Sequence, residues 1–205
     1  VDLDALVLVG VKSPVSFFAY PDKPSVLAPE TATQTVLADA EMDVVDALRR
    51  LADILDAPAR PEVTMDRAQY PLGEGAIDAN ELGKVIANRL PDNAIVCDEG
   101  ATNGLGAFLL TANAARHDWL TLTGGAIGQG LPLAIGAAVA CPDRKIIALE
   151  ADGSGMYTVQ ALWTMVREAL DITVIMLNNG SYAILNIELS RVGVAEPGPT
   201  ALSLL

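Results

Sequence analysis

The stretch that decides the fold runs from residue 145 to residue 179 and reads KIIALEADGSGMYTVQALWTMVREALDITVIMLNN. Residues 145–150 and 172–177 are apolar runs of strand length, and residues 157–169 between them have helical periodicity. Strand, helix and strand in this order predict a parallel crossover, which brings the carboxyl ends of both strands to one edge of a sheet. Asp152 and Asn179 follow those ends, so we expect them to meet where open α/β sheets bind ligands.

The residue types at this predicted edge indicate a metal and a phosphate. A carboxylate, an amide oxygen and free backbone carbonyls are hard oxygen donors, which suit Mg²⁺ with an anionic phosphate as co-ligand. Gly153 and Ser154 open the following helix, so their N–H groups and the Ser154 hydroxyl can face a phosphate. The alternative is a turn-forming Asp-Gly and an Asn-Gly hairpin, but it leaves the helix-length segment between the two unexplained.

The order Asp152-Gly153, roughly two dozen residues, then Asn178-Asn179 resembles the diphosphate-binding fingerprint of thiamine-diphosphate (ThDP) enzymes. Ala151 stands where that fingerprint usually has its first glycine. The wider chain is similar to the carboxyl-terminal half of an acetolactate (acetohydroxyacid) synthase large subunit, near benzoylformate decarboxylase. The resemblance implies that the Asp152 carboxylate, the Asn179 side chain and the Ser181 carbonyl hold Mg²⁺, while Gly153 and Ser154 contact the cofactor.

A second block, GGAIGQG at residues 124–130, supports the resemblance. Alone it would indicate a glycine-rich turn before a helix, and it lacks the GxGxxG spacing of a dinucleotide site. It resembles the family loop between the two rings of ThDP. By that resemblance the Gly125 carbonyl accepts a hydrogen bond from the 4′-amino group, and Ile127 is the apolar wedge that keeps the cofactor folded. Holding two reacting groups together in this way accelerates their reaction, so both residues have a catalytic role.

Two hydroxyl-bearing residues, Thr102 and Tyr182, complete the predicted cofactor site. Thr102 matches a position that touches the diphosphate in benzoylformate decarboxylase-like proteins, although a helix N-cap explains it equally well. Tyr182 also matches that subfamily, as does Tyr157, and packing is the alternative explanation for both.

Composition limits the partners and the compartment. The formal net charge of −13 argues against nucleic acid or anionic lipid as a partner. Cys97 and Cys141 lack CxxC spacing and His117 is the single histidine, so we expect buried cysteines in a reducing, cytoplasmic compartment. The uncharged segment 120–142 is long enough to span a membrane, but its glycines and Pro132 favour a place inside an α/β core.

The predicted fold class is α/β, a doubly wound parallel sheet preceded by the tail of a central domain. Residues 1–56 are expected to be that tail, with a strand at 5–10, a loop at 13–24 and an amphipathic helix at 43–55. Residues 57–76, rich in proline and glycine, are the expected linker. Residues 77–205 would form the diphosphate-binding domain, truncated at its carboxyl end, in a chain that is a piece of a longer protein.

The resemblance implies ThDP- and Mg²⁺-dependent cleavage or formation of a C–C bond in a 2-keto acid. We expect acetolactate synthase-like chemistry, because residues 14–20 (PVSFFAY) lack the histidine that benzoylformate decarboxylase carries there. A 2-keto-acid decarboxylase is the first alternative, and a non-catalytic ThDP-binding subunit is the second. The activating glutamate would come from the pyrimidine-binding domain of another chain in a homodimer or homotetramer. FAD is left open as a further cofactor.

Overall fold

The computed structural model describes residues 3–61, 63–194 and 196–203, which form two compact units. The first unit extends to Thr64 and includes a short segment from Ser190. The second unit comprises Met65–Leu189 and the carboxyl-terminal residues from Glu196. The division falls inside the predicted linker 57–76, and the described residues of that linker belong to no helix or strand. The assignment of residues 1–56 to a central domain stays a prediction.

The first unit contains a two-stranded parallel sheet and one amphipathic helix. Strand β1 (Ala5–Val9) pairs with β2 (Thr33–Ala38), and helix α1 (Val44–Ile54) follows. Asp43 caps α1, because its carboxylate accepts a hydrogen bond of 2.9 Å from the Asp46 N–H. These bounds confirm the predicted strand and helix. No residue of α1 is fully buried: Val44 and Leu51 are half-buried, whereas Val45 and Leu48 are exposed, as is the C-cap residue Leu55.

The second unit is a four-stranded parallel sheet in the order β4-β3-β5-β6. Its strands are β3 (Ala94–Glu99), β4 (His117–Thr121), β5 (Ile146–Ala151) and β6 (Ile172–Leu177). Its helices are α2 (Ala79–Arg89), α3 (Gly104–Leu110), α4 (Gly130–Ala140), α5 (Asp152–Gly155), α6 (Ala161–Arg167), α7 (Ala183–Arg191) and α8 (Pro199–Leu202). The alternation confirms the predicted α/β doubly wound parallel sheet.

Helices cover both faces of this sheet because alternate residues of each strand point to opposite sides. Ile95 and Cys97 of β3 pack with α4 and α6, whereas Ala94 and Val96 pack with α2 and α3. Burial raises the pKa of the Cys97 thiol to about 11, which confirms its prediction as a buried, apolar cysteine. Cys141 is only partly buried. Within the described residues, no helix is both long and apolar enough to cross a bilayer.

The connection between β5 and β6 differs from the single helix predicted over residues 157–169. It consists of the short helix α5, a turn, and the seven-residue helix α6. By their apolar type, Trp163, Met165 and Val166 of this segment are predicted to be core residues. Met165 is buried, but Trp163 and Val166 are 63% and 82% exposed, so the prediction is wrong for those two. A helix this short buries one narrow stripe, Ala161 and Met165 at spacing i, i+4. Trp163 lies on the outer side, where the Arg167 guanidinium stacks over its ring at 4.6 Å.

Candidate functional site

The register of the sheet brings the two halves of the fingerprint to one edge. Ala151, the last residue of β5, pairs with Leu177, the last residue of β6. Asp152 and Asn178 therefore begin the two segments that leave neighbouring strands at the carboxyl edge, with Asn179 one residue further. The predicted parallel crossover, which places these residues at a common edge, is confirmed.

Asp152 opens α5 directly after β5, and its carboxylate is half-buried. No side chain or N–H among the described residues donates a hydrogen bond to it. Beside it, a Cβ built on Gly153 would meet no heavy atom within 4 Å, so there is open space against this backbone. Ser154, also half-buried, is the third residue of the same short turn. The arrangement leaves a carboxylate and the first N–H groups of a helical turn available to a ligand.

Two successive side-chain turns shape the segment after β6. The Asn178 Oδ1 accepts a hydrogen bond of 2.9 Å from the Gly180 N–H, and the Asn179 Oδ1 accepts one of 3.0 Å from the Ser181 N–H. Such turns are common at asparagine, and Gly180 has a positive φ of 63°, a conformation that favours glycine. This hydrogen bond fixes the side-chain Oδ1 of Asn179, which retains a second lone pair for a cation.

A contact between tyrosines joins the two segments. Tyr157 follows α5 and Tyr182 follows the turn after β6, and their side chains are hydrogen-bonded. This hydrogen bond is the largest cause of the raised pKa of Tyr182, ahead of the electrostatic effect of Tyr157 and burial. Both rings are exposed, at 61% for Tyr157 and 38% for Tyr182, so packing in the core does not explain them.

The glycine-rich loop 124–130 reaches the same edge. Gly124, Gly125 and Gly128 have φ values of 62°, 67° and 88°, a region that side chains other than glycine rarely adopt. The Ile127 N–H donates to the Gly125 carbonyl at 3.0 Å, and the Ile127 side chain is 48% exposed. The loop is held against the segment after α5, because the Thr158 hydroxyl donates to the Gly128 carbonyl at 2.9 Å.

Thr102 lies in the turn that follows β3, and it is half-buried. The N-cap of α3 is Asn103, so the interpretation of Thr102 as a helix cap is wrong. The preceding residue, Ala101, has a positive φ of 48°, which costs an alanine roughly 1 kcal/mol. The turn is closed by hydrogen bonds to the Gly100 carbonyl from the Asn103 and Gly104 N–H groups, at 3.1 and 3.3 Å.

Sequence reasoning missed a pair of buried carboxyl groups beneath this edge. Glu99 of β3 and Glu150 of β5 are register partners, exposed by only 3% and 0%. Glu99 accepts hydrogen bonds from the Gly128 and Gly130 N–H groups at 2.6 and 2.5 Å. The signal was an acidic residue at the end of each of two apolar runs, but the runs alone do not show that the two strands are neighbours.

Glu150 is the neutral member of this pair. Neither of its side-chain oxygens accepts a hydrogen bond from the described residues. The pKa of Glu150 is raised from 4.5 to about 8. Burial is the largest cause, followed by the Glu99 carboxylate and then by Asp98. A protonated Glu150 carries an O–H, and the neighbouring Glu99 carboxylate is positioned to accept it. One proton thus removes a buried charge and satisfies a buried polar group at once.

The assembled edge fits a diphosphate with a divalent cation better than it fits a bare anion. Asp152, Asn179 and the Ser181 carbonyl are oxygen donors, and none of them supplies positive charge. Open space lies beside Gly153, Gly124 and Gly180, where a Cβ would meet nothing within 4 Å. Among the described residues, no cluster of three or more His, Cys, Asp or Glu side chains is arranged to bind a metal, and the proposed ligand set contains a single carboxylate.

A large part of the second unit matches a known protein family. Residues 98–199 match the family "Thiamine pyrophosphate enzyme, C-terminal TPP binding domain", thiamine pyrophosphate being another name for ThDP. The chain is 50% identical over 202 residues to the "Putative acetolactate synthase large subunit IlvX" of Mycobacterium tuberculosis, covering 98% of this chain and 39% of that protein. It is 33% identical over 156 residues to the acetolactate synthase isozyme 1 large subunit of Escherichia coli, covering 71% and 28%.

A solved structure gives the same result. The ThDP-dependent 4-hydroxybenzoylformate decarboxylase of Rhodococcus jostii RHA1 superposes with a TM-score of 0.72 at 26% identity, covering 96% of this chain and 40% of that one. The chain thus spans less than half the length of each of these three relatives. On the match over residues 98–199 and the likeness to these proteins, the chain belongs to the thiamine pyrophosphate enzyme family, and residues 98–199 are its C-terminal TPP binding domain.

Proposed function

We propose that the carboxyl edge of the sheet binds the diphosphate of ThDP through Mg²⁺. The Asp152 carboxylate, the Asn179 Oδ1 and the Ser181 carbonyl would be the protein ligands, with phosphate oxygens and water completing the coordination sphere. The observation that carries this proposal is the pairing of Ala151 with Leu177, which starts both ligand-bearing segments from neighbouring strand ends. The half-buried Asp152 carboxylate, left without a donor among the described residues, supports the same assignment.

Gly153 and Ser154 would contact the diphosphate, and Thr102 and Tyr182 would contribute hydroxyl groups from the neighbouring turns. Open space beside Gly153 supports this role, because a phosphate can approach the backbone there without meeting a side chain. The hydrogen bond between Tyr182 and Tyr157 supports it as well, since it fixes one hydroxyl at the junction of the two segments. These residues bind and orient, and the cofactor supplies the electron sink for C–C chemistry.

Gly125 and Ile127 would determine how the two rings of the cofactor are held. The Gly125 carbonyl accepts the Ile127 N–H at 3.0 Å and keeps a second lone pair for an amino group. Ile127 presents an apolar side chain, 48% exposed, at this edge. An apolar wedge beside a hydrogen-bond acceptor is suited to holding a folded cofactor, with its reacting groups near each other.

The reaction we propose for the full-length protein is acetolactate synthase-like cleavage or formation of a C–C bond in a 2-keto acid. Two similar proteins named as acetolactate synthase large subunits support it. A 2-keto-acid decarboxylase is the second candidate. It is favoured by the likeness to the Rhodococcus jostii enzyme and by 31% identity over 160 residues to an alpha-keto-acid decarboxylase of Mycobacterium avium, covering 71% of this chain and 27% of that protein. The pyrimidine-binding domain of another chain would complete the site, in a homodimer or homotetramer.

Titration of the full-length protein with ThDP, with and without Mg²⁺, tests the proposal by calorimetry. We expect binding that requires Mg²⁺ and that weakens at least tenfold in Asp152→Asn, because a ligand contributes at least as much to metal affinity as the groups that orient it. Asp143→Asn is the matched control, since Asp143 is exposed and precedes β5 at the opposite edge. Absence of ThDP binding by the wild-type protein, or equal affinities of the two variants, would contradict the assignment.

A further inference from the structure

The Glu99 side chain spans the second half of the glycine-rich loop. One carboxylate oxygen accepts the Gly128 N–H at 2.6 Å, and the other accepts the Gly130 N–H at 2.5 Å. Gly130 is the first residue of α4, an eleven-residue helix whose first N–H groups have no partner within the helix. A carboxylate at this position satisfies those donors and interacts favourably with the helix dipole. The N-terminus of α4 is therefore already occupied by a side chain of the protein itself.

The surroundings of Glu99 hold it in one place. Glu99 is 3% exposed and stands at the end of β3, the strand that lies between β4 and β5 in the sheet. A Cβ built on Gly130 would fall within 3 Å of the side chains of both Glu99 and Glu150, so glycine is needed for the loop to approach them this closely. Charge-assisted hydrogen bonds of this kind are about twice as strong as neutral ones. The loop consequently has a rigid anchor immediately after Ile127.

We propose that Glu99 is a positioning residue, which anchors the loop by two hydrogen bonds and thereby fixes the place of Ile127 and Gly125 at the cofactor rings. The proposal rests on the proposed function for its purpose, but the anchoring itself is a property of the chain. Ile127 lies between two fixed points, its own hydrogen bond to the Gly125 carbonyl and the Gly128 N–H bound by Glu99. The role assigned to Glu99 is thus indirect, acting through the loop backbone that it binds.

A purely structural role for Glu99 makes a different prediction. If the Glu99 carboxylate served only the packing of the core, its replacement in Glu99→Gln would remove the cost of burying a charge and leave the loop unchanged. If it anchors the loop, the amide replaces one acceptor by an NH₂ group that faces a backbone N–H, and the loop loosens. Glu150→Gln is the matched control, because it makes the same chemical change on the register partner, and its oxygens accept no loop N–H.

Hydrogen exchange without cofactor is the first test, in the full-length protein at pH 6. In Glu99→Gln we expect the amides of residues 124–130 to exchange at least tenfold faster than in the wild type, while those of β5 stay within twofold. Glu99→Asp, which keeps the charge but shortens the side chain, should give an intermediate rate. Unchanged loop exchange in Glu99→Gln would overturn the anchor. Loss of the far-ultraviolet circular dichroism in both Glu99 variants would also overturn it, by showing that Glu99 serves the core as a whole.

The second test adds ThDP and Mg²⁺ and measures the exchange rate of the thiazolium C2 proton by NMR. At saturation we expect this rate to fall at least tenfold in Glu99→Gln, with a smaller change in ThDP affinity, because the diphosphate is held elsewhere. A faster-exchanging loop without any effect on the C2 proton would overturn the positioning role. If the wild-type protein bound no ThDP, the proposed function would fail, whereas the first test would still decide whether Glu99 anchors the loop.

Discussion

Glu150 makes the stability of the second unit depend on pH, and Glu150→Gln should remove that dependence. Its pKa is raised from 4.5 to about 8, so the folded state holds a proton that the unfolded state releases above about pH 4.5. The stabilisation from the neutral group is complete below the unfolded pKa and is lost as the pH rises through the folded pKa. For one proton the free energy of unfolding falls by about 1.4 kcal/mol per pH unit within this window, or about 3 kcal/mol between pH 5.5 and pH 7.5.

The assay is urea unfolding followed by tryptophan fluorescence. Both tryptophans of the chain, Trp119 and Trp163, belong to the second unit, so the signal reports on that unit alone. The quantity to compare is the free energy of unfolding of Glu150→Gln minus that of the wild type. We expect it to be near zero below pH 4.5, where Glu150 is protonated in both the folded and the unfolded wild type, because the amide can donate to Glu99 as the protonated acid does. It should then grow to about 1.4 kcal/mol at pH 5.5 and about 4 kcal/mol at pH 7.5.

Glu74→Gln provides the control, since Glu74 is an exposed carboxylate of the same unit. Groups common to all three proteins cancel in the differences, so the control should show no trend with pH. A wild-type protein as stable at pH 7.5 as at pH 5.5, with a flat difference for Glu150→Gln, would refute the claim that Glu150 is buried as a neutral acid.

Two further substitutions test the backbone of the second unit by the same urea assay. Ala169 follows Glu168, the C-cap of α6, and has a positive φ of 49°; the Leu170 N–H closes the turn on the Met165 carbonyl at 3.0 Å. Glycine is the usual residue there, so Ala169→Gly should raise the free energy of unfolding by about 0.5 kcal/mol or more, and a loss would contradict the observed turn. Gly83 lies where α2 meets α3, and an added Cβ would come within 2.9 Å of the Gly106 carbonyl. Gly83→Ala should therefore cost about 1–3 kcal/mol, and an unchanged stability would show that the two helices can separate freely.

The architecture of the second unit was predictable because it depends on local patterns. Apolar runs alternate with helical segments, and the Asp78 carboxylate accepts the Glu81 N–H at 2.8 Å, as the capping pattern at the start of α2 indicates. Strand pairing could be inferred only for consecutive strands. The neighbour relation between β3 and β5 is a long-range property, since β4 lies between them in the chain but not in the sheet. For that reason Glu99 and Glu150 did not emerge as a pair.

The sequence interpretation was wrong where a position in the structure was inferred from residue type alone. Trp163 and Val166 were assigned to the core because they are large and apolar, but a seven-residue helix has only one buried stripe. Threonine is a common helix N-cap, so Thr102 was a candidate for the cap of α3. In the structure the N-cap is the next residue, Asn103. Asp152 and Asn179 were placed at one edge by spacing and connectivity, and the loop of Gly125 and Ile127 was placed there by the family resemblance. The structure brings the loop and both strand ends to that edge.

The charge distribution at this edge gives an independent physical reason for a divalent cation. Asp98, Glu99, Glu150 and Asp152 are all at or next to the ends of two neighbouring strands. The four segments that form the edge, residues 98–104, 121–130, 151–160 and 177–183, contain no lysine, arginine or histidine. An anionic diphosphate would meet only carboxylates and dipoles there, and like charges a few ångströms apart repel by a few kcal/mol at an effective dielectric constant near 20. Protonation of Glu150 removes one charge, and the bidentate hydrogen bonding of Glu99 compensates a second. The composition of these segments therefore favours the proposed Mg²⁺ as the source of positive charge, and we expect ThDP affinity to disappear, and not merely decrease, when Mg²⁺ is chelated.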